Sequence, residues 1–240
     1  MASNALSYDG ANDYSSCPDT ASLDVAIMTI EVWVKWSGTA DDYDCVFNKG
    51  NDAADANYQL RLDNTAAPNR KWQCLVGKGG GVYDVVTSTV NANTNWTHLA
   101  FTHEGVANGL LEFFVDGVSQ GTTSNANSLI TNNYNFYVGC MGTALGYYFN
   151  GIVDEIRISD VIRYTEDFTP STNSFTTDAN TRALWSFNEG TGTTVVDESG
   201  NGNTITLADS PNTPVWVEGY SFPDEAVSPS GFLIPNKFIS

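Results

Sequence analysis

The stretch YYFNGIVDEIRISDVIRYT, residues 147–165, reads as one β-strand with two adjacent acids at its centre. Side chains along a strand alternate between two faces. Ile152, Ile156 and Ile158 therefore share a face with Asp154, and Val153, Glu155, Arg157 and Ser159 share the other. Glu155 and Arg157 are expected to neutralise each other on a polar face. Asp154, set among isoleucines, is expected to be buried. A buried carboxylate requires a cation, an arginine or backbone N–H groups.

The rest of the chain repeats this strand character. Short β-branched and aromatic runs, such as Met28–Trp36, Tyr58–Leu62 and Thr97–His103, recur between Asn, Asp and Gly residues. Helical periodicity is nearly absent, with Val161–Glu166 expected to form one short helical turn. The pattern predicts an all-β, antiparallel sandwich or barrel. Asp116-Gly117 between FFV and VSQG marks a hairpin, because such turns need positive φ.

Composition narrows the partners. The chain has 240 residues, 41% of them hydrophobic, with 12 Phe, 11 Tyr and 6 Trp to build a core. A formal charge of -18 argues against nucleic acid and anionic membranes, and it is compatible with Ca²⁺. The four cysteines, Cys17, Cys45, Cys74 and Cys140, form no CxxC pair and read as buried free thiols. No run is long or apolar enough to span a membrane. The opening MASNALSYDG has neither the basic nor the apolar region of a secretion signal. The expected location is therefore a virion surface, with an extracellular location as the alternative.

In order, the strands read LSYDGANDY, TIEVWVKW, CVFNKG, NWTHLAFTHEG, LLEFFVDGV and YYFNGIVDEIRIS. This series resembles the laminin G-like domains of the concanavalin A-like lectin/glucanase superfamily, phage-borne members included. It covers roughly residues 5 to 165. The resemblance implies a jelly-roll sandwich, with LWSFNEGTGTTVVDESGNG (184–202) out of its usual place ahead of the DG…DY motif. A circular permutation is therefore expected, with residues 166–216 adding closing strands after a polar crossing loop in a domain spanning 1–216. The alternative is donation of that segment to a neighbouring protomer. The RYTEDFTP run resembles an extension of phage-borne members. Residues 217–240, with Tyr220, Phe222, Phe232, Leu233, Ile234, Phe238 and Ile239, read as an extended apolar tail that contacts other protein subunits.

The resemblance also implies a structural Ca²⁺ near the first and last core strands, with Asp9, Asp13 and Asp154 at the matching positions. Simple turn chemistry at Asp9 and Asp13 is the alternative. A glycan site needs aromatic faces and hydroxyl-fixing polar groups. The loops supply Tyr43, Asp52, Asp55, Asn57, Tyr83, Tyr147 and Tyr148. Catalysis is not expected. The alternating acids of the superfamily's hydrolases are absent, and His98 and His103 lie an odd number of residues apart on one strand, so they diverge. Asn95-Trp96-Thr97 is a formal glycosylation sequon whose Trp is expected in the core.

Three functions follow as expectations. The first is a non-enzymatic surface or assembly module of a virion, as head decoration or tail-associated adhesin, with possible glycan binding. The second is a carbohydrate-binding module of a secreted bacterial protein. The third, least favoured, is a glycan-active hydrolase or lyase.

Overall fold

A computed structural model describes residues 3–39, 42–53, 55–78, 81–142 and 145–223. The chain is a two-sheet antiparallel sandwich, as expected. In chain order the strands are β1 (Asn4–Asp9), β2 (Ser15–Cys17), β3 (Ile27–Trp36), β4 (Cys45–Lys49), β5 (Tyr58–Leu62), β6 (Lys71–Lys78), β7 (Val82–Asn91) and β8 (Trp96–Glu104). They continue with β9 (Leu111–Val115), β10 (Val118–Thr123), β11 (Phe136–Val138), β12 (Asn150–Ser159), β13 (Thr181–Trp185), β14 (Thr194–Val195), β15 (Ile205–Leu207) and β16 (Val215–Glu218). The first sheet runs β10-β9-β8-β3-β12-β1-β16, with β13 also paired to β12. The second runs β14-β15-β2-β11-β4-β5-β6-β7.

Alternation explains how the two sheets meet. Ile30, Val32 and Val34 of β3 face Leu60 and Leu62 of β5 and Trp72, Cys74 and Val76 of β6 in one buried cluster. The segment after residue 180 contributes strands to both sheets. β13 pairs with β12, and β14 and β15 extend the second sheet beside β2. Trp185 stacks on Phe136 at 5.1 Å. All four cysteines are buried and unbridged. The β9–β10 hairpin turns at Asp116 (φ 49) and Gly117 (φ 77), as Asp-Gly predicts.

The defining strand differs from simple alternation. β12 carries a bulge between Asp154 and Arg157, with Glu155 at φ 45 as the extra residue. Val153, Ile156 and Ile158 face the core, while Asp154 lies opposite Trp33 on the outer face. Asp154 is buried but is not among core isoleucines. The expected Glu155–Arg157 pair does not form. Glu155 accepts the Phe175 N–H at 2.7 Å, and Arg157 binds Glu31 at 2.6 Å.

A layer over the outer face of the first sheet accounts for this. Residues 160–180 fold back across it. Val161–Glu166 is not a helical turn; Thr29 Oγ1 donates to the Val161 carbonyl and accepts the Arg163 N–H. Tyr164 stacks on Phe168 at 3.6 Å, and Arg163 pairs with Asp178 at 2.9 Å. Residues 216–223 cover the neighbouring strip. Tyr220 stacks on Trp33 at 3.8 Å, and its N–H donates to Asp154 at 2.8 Å. Trp96 is half-buried against this outer cluster and not in the core. The first part of the apolar tail thus covers its own chain. Residues 224–240, with Phe232 to Ile239, lie outside the described residues.

Candidate functional site

The outer face of the second sheet carries an open cavity of about 280 Å³, lined by Tyr43, Asp52, Arg61, Tyr83, Met141 and Tyr147. β5 builds its floor. Leu60 and Leu62 point into the core, so Gln59 and Arg61 point outward. Arg61 is opposite Gln73 on β6, which is opposite Thr87 on β7. A row of hydrogen bonds follows that register. Arg61 Nε donates to Gln73 Oε1 at 3.1 Å, and Gln73 Nε2 donates to Thr87 Oγ1 at 2.9 Å.

Aromatic rings form the walls. The Arg61 guanidinium sits 4.3 Å from the Tyr43 ring centroid, within cation–π range. Tyr43 and Tyr147 meet edge to face at 6.1 Å. Both have positive φ, 52 and 51. Such backbone is costly for an aromatic residue and persists only where surroundings enforce it. Here the Cys45 N–H donates to the Tyr147 carbonyl at 2.8 Å, and the Leu62 N–H donates to the Asp44 carbonyl at 2.9 Å. These bonds pin both tyrosines to the start of β4. Tyr83 and Tyr147 remain 41% and 42% exposed, leaving ring faces available to a ligand.

Asp52 arrives on a separate loop. Asp55 accepts the N–H groups of Asn51 and Asp52 at 2.9 and 2.8 Å, which closes the turn. Gly142 presses against that turn so closely that a Cβ there would lie 1.9 Å from the Asn51 carbonyl oxygen. Of the seven residues singled out in the sequence, Tyr43, Asp52, Tyr83 and Tyr147 converge on the cavity. Asp55 builds a turn, Asn57 is buried and donates to the Ile130 carbonyl at 2.6 Å, and Tyr148 is half-buried away from the cavity lining. Arg61 and Met141 were not anticipated. The signal for Arg61 was present, since YQLRL places its two leucines inward and Arg61 outward.

The expected cation set does not converge. Asp9 lies opposite Asn150 in the β1–β12 pairing, and Asp154 is four residues further along β12, about 13 Å away. Asp9 Oδ1 accepts N–H groups from Ala11, Asn12 and Asp13, at 2.8 to 3.4 Å. Burial pushes its carboxyl up, but these bonds outweigh it and hold the group below the usual range. Asp13 accepts the Asp9 N–H, and burial and the Asp9 charge push its carboxyl up to about 6. Asp154 Oδ2 accepts the Tyr220 N–H at 2.8 Å and the Ser3 hydroxyl at 3.2 Å. Asp9, Asp13 and Asp154 therefore do not fit one shared ion. Among the described residues no three His, Cys, Asp or Glu side chains are grouped for a metal.

Other ionisable groups are committed to the fold. Burial pushes Glu31 up, but contacts with His98, Arg157 and Tyr164 outweigh it and hold its carboxyl below the usual range. Tyr164 donates to it at 2.7 Å. His103 points the other way, into the sandwich. Its Nδ1 accepts the Gly105 N–H, and its Nε2 lies 3.0 Å from buried Lys78. Burial and that ammonium pull its pKa down to about 4. A second groove of about 540 Å³, between residues 21–27 and Asp160, Arg182 and Asn201, has no aromatic lining, and its Arg182 is already paired with Asp160.

Comparisons with known proteins agree with this architecture. A family model of laminin G type, described as the concanavalin A-like lectin/glucanases superfamily, matches residues 9–167. Among solved structures, a Bacteroides ovatus protein with a suggested carbohydrate-binding role superposes with a TM-score of 0.60 at 16% identity. That match covers 89% of this chain and 61% of the other, so this chain spans about three fifths of its length. A heptameric SAP-like pentraxin from Limulus polyphemus gives a TM-score of 0.57 at 13% identity, covering 88% of this chain and 97% of the pentraxin. The CBM40 module of a Ruminococcus gnavus IT-sialidase gives 0.51 at 12% identity, covering 66% and 92%. No curated protein matches the sequence.

Proposed function

This chain belongs to the laminin G-like branch of the concanavalin A-like lectin/glucanases superfamily, and from that premise we propose that it is a non-enzymatic carbohydrate-binding module. The observation that carries this reading is the convergence of Tyr43, Tyr83, Tyr147 and Asp52 on one open cavity. Sugar rings present apolar C–H faces that stack on aromatic rings, and hydroxyl groups that a carboxylate fixes. The strained tyrosine backbones hold the stacking faces in place before a ligand arrives, which lowers the ordering cost of binding. The names of two structural neighbours speak of carbohydrate binding, in agreement with the site.

The absence of catalysis in this reading follows from the acids. Glycoside hydrolysis uses two carboxyl groups flanking the bond. Only Asp52 lines the cavity among the described residues. Glu31, Asp154 and Glu155 lie on the other sheet beneath the covering layer.

The test is binding to a glycan array, followed by calorimetry on any hit. Tyr43→Ala and Tyr147→Ala should each weaken binding about five- to tenfold, as expected for about 1 kcal/mol of lost stacking. A double variant that folds normally and binds as tightly as the parent would sink the assignment of this cavity.

A further inference from the structure

Arg61 is the anomaly of the cradle. It is 7% exposed, so its charge is largely removed from water. Three other arginines each pair with a carboxylate: Arg157 with Glu31, Arg163 with Asp178 and Arg182 with Asp160. Arg61 has none among the described residues, in a chain whose formal charge is -18. Its Nε is tied to Gln73 and its plane lies beneath Tyr43, so the Nη edge is the part left to a ligand. A buried guanidinium without a counter-ion is costly, and its fork matches a carboxylate in two parallel hydrogen bonds.

We propose that the cavity selects a glycan residue bearing a carboxylate, with Arg61 as its counter-charge and Tyr43, Tyr83 and Tyr147 stacking on the ring. This rests on the cradle being the glycan site. Asp52, on the opposing loop, is then suited to accept hydroxyl hydrogens of the same sugar; its repulsion limits the carboxylate to the Arg61 side. The overall negative charge repels an anionic glycan at long range, and salt screens that repulsion more than the enclosed Arg61 contact. Binding should therefore hold or strengthen with salt, the reverse of an ordinary surface ion pair.

The experiment uses the full chain and two acidic probes, an oligogalacturonate and a sialylated trisaccharide, each beside its methyl ester. At least one acid should bind, and its ester should bind about ten- to a hundredfold more weakly, the range for lost charged hydrogen bonds. Arg61→Gln should abolish the preference for the acid over its ester. Arg61→Lys should recover only part, because an ammonium lacks the fork. Affinity should not fall between low salt and about 0.5 M salt. The ester comparison leaves the protein untouched, so it decides the matter even where Arg61 variants fold poorly. Equal binding of acid and ester, lost in Tyr43→Ala, would overturn the carboxylate and leave the glycan site standing. Binding of neither acid, with neutral glycans bound through this cradle, has the same meaning. Binding unaffected by Tyr43→Ala and Tyr147→Ala would remove both readings.

Discussion

At the scale of single residues, Glu31 shows how far burial and partners compete. It is fully buried, yet it remains charged because Arg157 and Tyr164 meet its two oxygens and His98 lies 3.3 Å away. Removing one member of a buried ion pair leaves the other charge uncompensated. Glu31→Gln should therefore cost about 3 kcal/mol, read by chemical denaturation. Amide exchange should accelerate most in residues 160–180, since the Tyr164 hydroxyl ties that layer to the sheet through this carboxylate. A loss spread evenly over both sheets would contradict the anchoring role. Little of this was legible in TIEVWVKW, where Glu31 reads as one acid in an apolar strand. Its partners are more than sixty residues away. The exchange of roles at Asp154 and Glu155 was closer to the surface of the sequence. Val153, Ile156 and Ile158 are spaced by three and then two, which is the mark of one extra residue. The apolar Ile152 beside Val153 hid that break by fitting the other phase equally well.

At the scale of elements, local signals were read well and docking was not. Asp116-Gly117 fixed its hairpin because the demand for positive φ is local. Val161–Glu166 has no such demand. Its conformation follows from what it touches, namely Thr29, Glu31 and Ser159 on the sheet beneath. The hairpin and this layer also hold each other. The Phe168 N–H donates to the Gly117 carbonyl at 2.8 Å, and Asp167 accepts the Ser119 N–H at 2.8 Å. A Cβ on Gly117 would lie 1.9 Å from the Phe168 carbonyl oxygen. Gly202 has nearly the same φ, 80 against 77, with nothing within 4 Å. Gly202→Ala should thus report the backbone cost alone, about 1 kcal/mol. Gly117→Ala should lose about 2 kcal/mol more, as the layer is pushed from the hairpin. Equal melting shifts in the two variants would show that Phe168 yields without cost.

At the scale of the whole molecule, the sandwich was legible because six strand motifs occur in family order, and each carries the alternating or turn residues its place demands. The cradle was legible only in part. Its tyrosines stand out in loops, while the placement of Arg61 beside them depends on the pairing of β5 with β4 and β6. The end of the chain divides the same way. Residues 217–240 read as one apolar tail, but Tyr220 and Phe222 close over Trp33, with Phe222 edge-on to it at 6.0 Å. The Gly219 N–H and the Tyr220 N–H tie this strip to Ser3 and Asp154, joining both ends of the described chain. An assembly role, as in a virion, is then a proposal for residues 224–240 alone. Two truncations separate these parts. Deleting 224–240 should leave the melting temperature and Trp33 emission unchanged, while abolishing any self-association or capsid attachment the full chain shows. Deleting 217–240 should also cost about 2 to 4 kcal/mol, because two aromatic side chains leave a buried surface. It should shift tryptophan emission to the red as Trp33, now 5% exposed, meets water. A shorter deletion that destabilises as much as the longer one would place Phe232, Leu233 and Ile234 on this fold and would remove the tail as a contact for other subunits.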